Sequence, residues 1–271
     1  MKDYLRQLIE GKRGLFEKTC VVREYLHARI LQTLQESGVF ENWAFLGGTA
    51  LRFLYGLPRY SEDLDFSLVD PGGEARFKKA LKKVGSAFEA EGYEPKLKVN
   101  DRKTVSSAMI RFDGLLFELG LSPRRTQVLS VKVEVDKNPP AGATLETTLI
   151  RRYVVLNLLH HDRASLLSGK LHALLTRGYA KGRDLFDLVW YLADKSWPGP
   201  NLDLLNAALS QTGWTGERLT GGNWRRVIKD KATRIDWQGA REDVRPFLER
   251  ENDIEIVTLE NCLRLLERAP R

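Results

Sequence analysis

The tightest constraint on this chain lies between residues 43 and 68. A short apolar run, Trp43-Ala44-Phe45-Leu46, meets Gly47-Gly48-Thr49, and a helix-like stretch runs on to Tyr55. Gly56-Leu57-Pro58 then turns the chain into Asp63-Leu64-Asp65-Phe66-Ser67-Leu68, which alternates polar and apolar as a half-buried strand does. Two glycines between a strand and a helix start leave backbone N–H groups unobstructed at the positive end of the helix, a ready cradle for phosphate. On a strand, Asp63 and Asp65 point to one face while Leu64 and Phe66 point to the core. Paired carboxylates on an exposed face attract divalent cations, and Mg²⁺ is commonly held by a few carboxylates together with substrate phosphates. A lone Asp-x-Asp is usually a solvated strand face and a lone Gly-Gly usually a turn. Joined in one strand–turn–helix–strand unit, they point to chemistry on phosphate.

The rest of the chain has room to support such a site. With 271 residues it fits one large domain or two small ones. Apolar residues at 42% and charged residues at 29% argue against a mainly disordered chain. The 43 Lys and Arg against 36 Asp and Glu leave a formal charge of +7, which permits a polyanionic partner without demanding one. No run of about 18 apolar residues predicts a membrane span, and Met1-Lys2-Asp3-Tyr4-Leu5-Arg6 lacks a signal-peptide core. Cys20 and Cys262 cannot build a disulfide framework or a cysteine zinc site. A reducing cytoplasm and a monomer are expected.

Apolar periodicity predicts helices over 12–37 and 74–91, the latter after a turn at Asp70-Pro71-Gly72-Gly73. Strands are expected near 96–99, 105–112, 115–121 and 128–136, with further β-prone residues from Thr144 to Leu159. Helical patterns follow at 165–177, 183–194, 201–209, 223–231, 239–250 and 257–268. The expected fold is therefore α+β: an α/β domain over 1–160 and a helical domain over 161–271.

Further candidates come from these elements. In Val131-Lys132-Val133-Glu134-Val135-Asp136 the valines alternate with polar residues, so Glu134 or Asp136 could add a third carboxylate to a metal site; Glu134 is preferred because Asp136 lies nearer the strand end. Lys170 and Arg177 share a helix face, as do Asp184 and Asp187, although such sets are often plain surface ion pairs. Lys78, Lys79, Lys82 and Lys83 line one side of an amphipathic helix. Arg225, Arg226 and Lys229 lie beside Trp214, Trp224 and Trp237, a combination that suits single-stranded RNA. Each of these basic stretches also reads as an ordinary solvated face. For His160-His161-Asp162, turn or RNA-contact roles are expected over metal binding.

Gly47-Gly48-Thr49-Ala50-Leu51-Arg52, the Arg59-x-Ser61-x-Asp63-Leu64-Asp65-Phe66 block, and Lys170…Arg177…Arg183-Asp184-Leu185-Phe186-Asp187-Leu188 together resemble the AbiEii/AbiGii-type toxins. These are nucleotidyltransferases of bacterial toxin–antitoxin or abortive-infection systems, similar in core to DNA polymerase β. The resemblance implies a polymerase-β-like core with a mixed β-sheet, and transfer of a nucleoside monophosphate from an NTP to RNA, notably the tRNA 3′ end, where an added nucleotide prevents aminoacylation. It implies that Gly47, Gly48 and Thr49 hold the triphosphate, that Asp63 and Asp65 bind two Mg²⁺ ions, and that Glu134 or Asp136 stands where the third carboxylate falls. It further implies that Lys170 neutralises nucleotide phosphates, that Asp184 or Asp187 is the acid of the second motif, that Arg59 and Ser61 lie near the nucleotide, and that a cognate antitoxin exists. A pyrimidine nucleotide is favoured by analogy.

Two other readings are kept. An antibiotic-modifying nucleotidyltransferase should carry an acidic acceptor pocket, which sits poorly with the excess positive charge. A non-catalytic nucleotide- or RNA-binding module has no need of intact carboxylates. A protein kinase is disfavoured because neither Gly-x-Gly-x-x-Gly nor His-Arg-Asp appears.

Overall fold

The computed structural model describes residues 2–70 and 76–269. Helices α1 (Lys2–Ile9) and α2 (Leu15–Glu36) lead into strand β1 (Trp43–Leu46), helix α3 (Gly47–Tyr55) and strand β2 (Asp63–Leu68). Next come α4 (Arg76–Ala90), β3 (Pro95–Asn100), β4 (Val105–Asp113), α5 (Leu115–Glu118), β5 (Val128–Asp136), β6 (Leu145–Arg152) and β7 (Val154–His161). Six helices follow: α6 (Arg163–Thr176), α7 (Gly182–Ala193), α8 (Leu202–Gln211), α9 (Trp224–Ala232), α10 (Trp237–Val244) and α11 (Leu259–Arg268).

The strands form one mixed sheet in the order β3-β4-β5-β2-β1-β7-β6. β2 runs antiparallel to β1 and parallel to β5, so the Asp-x-Asp strand is paired on both edges. Residues alternate strictly along β5: Leu129, Val131, Val133 and Val135 are buried, while the residues between them are half-exposed. Trp43, Phe45, Phe66 and Phe77 pack ring against ring beneath the sheet, with centroids 5.3–5.7 Å apart. Each such fully buried ring contributes about 1.5–3 kcal/mol relative to an exposed one.

The chain divides into two compact units. The first takes the residues up to Gly56, Tyr60–Asn138 and Thr147–His160; the second takes Leu57–Arg59, Pro139–Glu146 and the chain from His161 on. In the second unit α7 and α10 touch so closely that a Cβ on Gly182 would overlap the carbonyl of Ala240. Asp162, Asn201, Asp236 and Thr258 cap α6, α8, α10 and α11 through their side chains, satisfying N–H groups that a helix start leaves open.

Several local expectations change. The segment 115–121, expected as a strand, opens instead as α5: Gly114 at φ 76° turns the chain, and Leu115-Leu116-Phe117-Glu118 lacks the β-branched residues that hold a strand. Expected as one helix, 239–250 is α10 followed by a 3₁₀ turn at Arg245–Phe247, because Pro246 cannot continue the ladder. Helix α1 was not expected. The turn at 71–73 and the helix start at 74 lie outside the described residues.

Candidate active site

The site begins at the corner between β1 and α3. Gly47 adopts φ 83°, a region that costs a side-chain-bearing residue about 1–2 kcal/mol, and it starts a helix whose first N–H groups point out of the turn. A Cβ placed on Gly47 would lie 2.5 Å from Asp65 Oδ2. The Asp65 carboxylate therefore occupies the space that glycine leaves, and the β1–α3 corner and the acidic strand meet at this point.

β2 and β5 extend the acidic face. Their parallel register pairs Asp63 with Lys132, Asp65 with Glu134 and Ser67 with Asp136. Leu64 and Phe66 are buried on the opposite side, as the two-residue period requires. Glu134 is turned onto its own strand neighbour, with Lys132 Nζ 2.7 Å from Glu134 Oε2. That hydrogen bond, and then the charges of Glu134, Asp63 and Asp65, push the Lys132 ammonium above its ordinary pKa.

Two buried side chains grip the backbone on either side of Asp63. The Thr49 hydroxyl, fully enclosed, donates to the Asp63 carbonyl. From α2, His27 Nε2 lies 3.0 Å from the Glu62 carbonyl. Burial pushes the His27 pKa down to about 4, so at neutral pH the ring is uncharged and Nε2–H is the donor. Thr49 thus braces the strand with its hydroxyl, which leaves its backbone N–H as the group it can offer to phosphate. Ser61 is half-buried just before β2.

The second unit holds its own polar cluster. Arg59 donates twice to Asp187, Nε to Oδ1 and Nη2 to Oδ2, each at 2.6 Å, and both residues are almost wholly buried. Lys170 Nζ lies 2.6 Å from Asp187 Oδ2 and 3.0 Å from Asp184 Oδ1, while Arg177 pairs with the other oxygen of Asp184. Burial pulls the Lys170 ammonium down, but the charges of Asp187 and Asp184 outweigh it and its pKa is raised. For Asp184, burial raises the carboxyl, and Lys170 and Arg177 bring the net effect below the usual range. Three cations against two carboxylates leave this cluster with one excess positive charge. Arg59 and Asp187, expected beside the nucleotide, form a buried pair inside the second unit that Lys170 joins through Asp187.

Among the described residues, no group of three or more His, Cys, Asp or Glu side chains is gathered tightly enough to hold a metal ion. Of the two candidates for a third carboxylate, Glu134 pairs with Lys132, and Asp136 accepts from the Asn138 N–H. What fits a divalent ion is the narrower pair Asp63 and Asp65 beside the Gly47 corner. Hard oxygen donors next to a phosphate cradle suit Mg²⁺ shared with a nucleotide better than an all-protein cage.

The basic stretches separate. Lys78, Lys79, Lys82 and Lys83 are exposed on α4, with Lys78 paired to Asp101 at 2.7 Å. Arg226 pairs with Glu217 and Asp230, Lys229 with Glu267, and Arg225 donates to the Ala269 carbonyl. Trp224 is fully buried and cannot stack on a base. His160 is buried and shares a hydrogen bond with Thr148, and Asp162 caps α6, so these two residues serve the fold.

Comparison with known proteins places the chain. The family profile "Nucleotidyl transferase AbiEii toxin, Type IV TA system" matches residues 29–258. The chain belongs to the AbiEii nucleotidyltransferase toxin family. Its fold is similar to that of MenT4, a nucleotidyltransferase toxin from Mycobacterium tuberculosis (17% identity, 98% of this chain and 99% of that one covered, TM-score 0.54). It is also similar to JHP933 from Helicobacter pylori (19% identity, 92% and 90% covered, TM-score 0.51). No curated protein matches the sequence. As a member of the AbiEii family the chain is a nucleotidyltransferase, and the match spans both the Gly47–Asp65 corner and the Lys170–Asp187 cluster.

Within this AbiEii chain, His27 is the residue that the sequence alone did not single out. It lies among Leu26, Ile30 and Leu34 on a helix that reads as core, and nothing local says that it meets residue 62. Lys132 was equally hidden, since its importance comes from the register of β2 on β5.

Proposed function

We propose that this toxin transfers a nucleoside monophosphate from an NTP to the 3′ end of an RNA, with tRNA as the acceptor, and so blocks aminoacylation and translation. The observation that carries the reading is the Asp65 carboxylate seated against the Gly47 corner, with Asp63 on the same face of β2. The open N–H groups of α3 at Gly47 and Gly48 bind triphosphate oxygens. Two Mg²⁺ ions, held by Asp63, Asp65 and the nucleotide, supply charge neutralisation and acidify the attacking hydroxyl when bound. The acceptor oxygen bonds to the α-phosphorus as the bond from that phosphorus to its bridging oxygen breaks; the hydroxyl proton passes to solvent water, and pyrophosphate leaves with the bonding electron pair.

Phosphoryl transfer asks the protein mainly for placement and charge. Thr49 and His27 fix the backbone that carries Asp63. Lys170, which the resemblance to the family assigns to the nucleotide phosphates, is oriented by Asp184 and Asp187. Family membership in a type IV system supports a cognate antitoxin, and the exposed α4 lysines offer a face for RNA backbone phosphates. No described helix is long and apolar enough to cross a membrane.

The test is incubation of total RNA with each of the four α-labelled NTPs and Mg²⁺, comparing wild type with Asp65→Ala. Wild type should label a tRNA-sized band with one preferred nucleotide, and the variant should not. Equal labelling by both proteins overturns the site.

A further inference from the structure

The β2–β5 face holds a cation of its own. Lys132 stands opposite Asp63 in the parallel register, two pairs along from Asp65 and Glu134 and on the same face. On the other edge of β5, Glu134 faces Ser107 and Lys132 faces Met109, so β4 brings no acid or base of its own to these two pairs. The Lys132 ammonium sits 2.7 Å from Glu134, and its side chain is 38% exposed, so it reaches the open side of the sheet instead of being locked in the core. Asp63 and Asp65 also act on it electrostatically.

Lys132 holds the Glu134 carboxylate to itself; without it, Glu134, paired in register with Asp65, could turn toward Asp63 and Asp65 as a third carboxylate. Three convergent carboxylates bind a divalent ion by themselves, whereas two leave it dependent on further oxygens. A lysine is also a compact point charge, able to stand where an ion would.

We propose that Lys132 is a positioning residue that acts as a resident counter-cation: it withholds Glu134 from metal, so that Asp63 and Asp65 take up a divalent ion only when a nucleotide brings its phosphates. This rests on the nucleotidyltransferase reading above and deepens it. A toxin built in this way keeps no tightly bound metal while no nucleotide is present, and the metal enters as the metal–NTP complex.

The experiment is a Mn²⁺ titration of the full chain followed by electron paramagnetic resonance, without nucleotide and then with a non-hydrolysable NTP analogue. Lys132→Met keeps the aliphatic stem, Lys132→Arg keeps the charge, and Lys132→Met/Glu134→Gln removes the released carboxylate. Nucleotide-free Mn²⁺ affinity should rise about tenfold or more in Lys132→Met, because a third charged ligand becomes available. It should stay at the wild-type level in Lys132→Arg and return there in the double variant. Thermal melts establish that each protein is folded, and Lys132→Gln serves in place of Lys132→Met should that variant melt early. An affinity within twofold of wild type for the uncharged variants overturns the inference, as does a loss of nucleotide binding in Lys132→Met with Mn²⁺ affinity unchanged, which would make Lys132 a phosphate ligand. If wild type still labels RNA in that event, the nucleotidyltransferase reading stands and the inference about Lys132 alone falls. Absence of Mn²⁺ binding in wild type even with the NTP analogue, together with no labelling, defeats both.

Discussion

At the scale of single residues, the geometry of Asp63 is set by atoms that never reach a substrate. His27 and Thr49 hold the carbonyls of Glu62 and Asp63, so the carboxylate projects from a pinned stretch of backbone. Replacing His27 by Leu leaves the Glu62 carbonyl without that donor, a loss of about 1–3 kcal/mol for a buried polar group. Steady-state kinetics of His27→Leu should show kcat reduced about tenfold to a hundredfold by misplacement of the reacting groups, with KM for NTP nearly unchanged. His27→Gln, which restores an N–H donor, should recover part of the rate. A variant with wild-type kcat would remove His27 from the positioning apparatus.

The same histidine carries a pH signature. Its folded-state pKa of about 4 lies below the unfolded value near 6.5 because burial penalises the charged ring. The unfolded chain therefore takes up the proton first, and the stability that His27 contributes is complete above about pH 6.5 and is lost as pH falls toward 4. The shift corresponds to at most about 3 kcal/mol. Urea denaturation at pH 7 and pH 4.5 should show a smaller drop in stability on acidification in His27→Gln than in wild type.

At the scale of elements, the β1–α3 corner depends on one close approach, and the α6–α7 pair on one buried cluster of charges. Gly47→Ala forces a Cβ toward Asp65 Oδ2 at a backbone angle that alanine disfavours. The strand has no slack there, since β2 is paired on both sides. RNA labelling should fall about a hundredfold, the usual consequence of an ångström-scale displacement at a reacting centre, while circular dichroism keeps the native spectrum. In the second unit, Asp187→Ala strands the buried Arg59 guanidinium and removes a partner of Lys170. Breaking a buried pair from one side costs about 3–5 kcal/mol, so this variant should melt well below wild type. Arg59→Met/Asp187→Leu, which removes both charges, should regain much of that stability.

At the scale of the whole molecule, the formal charge of +7 gains meaning from where its lysines lie. α4 presents four lysines outward, whereas the cations around α9 are tied to Glu217, Asp230 and Glu267. Changing Lys78, Lys79, Lys82 and Lys83 together to Gln should weaken RNA binding and flatten its salt dependence by up to about 0.7–0.9 logarithmic units for each RNA phosphate that is no longer neutralised. An unchanged salt slope in filter binding would mean that RNA is gripped elsewhere. The comparable set Arg225, Arg226 and Lys229 should have the smaller effect, because these side chains are already paired.

What could be read from the chain alone was what depends on neighbours in sequence. The two-residue period of β2 places Asp63 and Asp65 together, the Gly47-Gly48 corner marks a strand-to-helix turn, and apolar periodicity marks most of the helices and the central strands. Tertiary structure decided everything that joins distant segments. Arg59 and Asp187, 128 residues apart, spend their charges on each other, the Thr49 hydroxyl turns to a carbonyl, Trp224 vanishes into the core, and Glu134 answers to Lys132. Local periodicity fixes which face a side chain takes, but the partner it meets there depends on strand register and helix packing, and those follow from the long-range burial of the whole sequence.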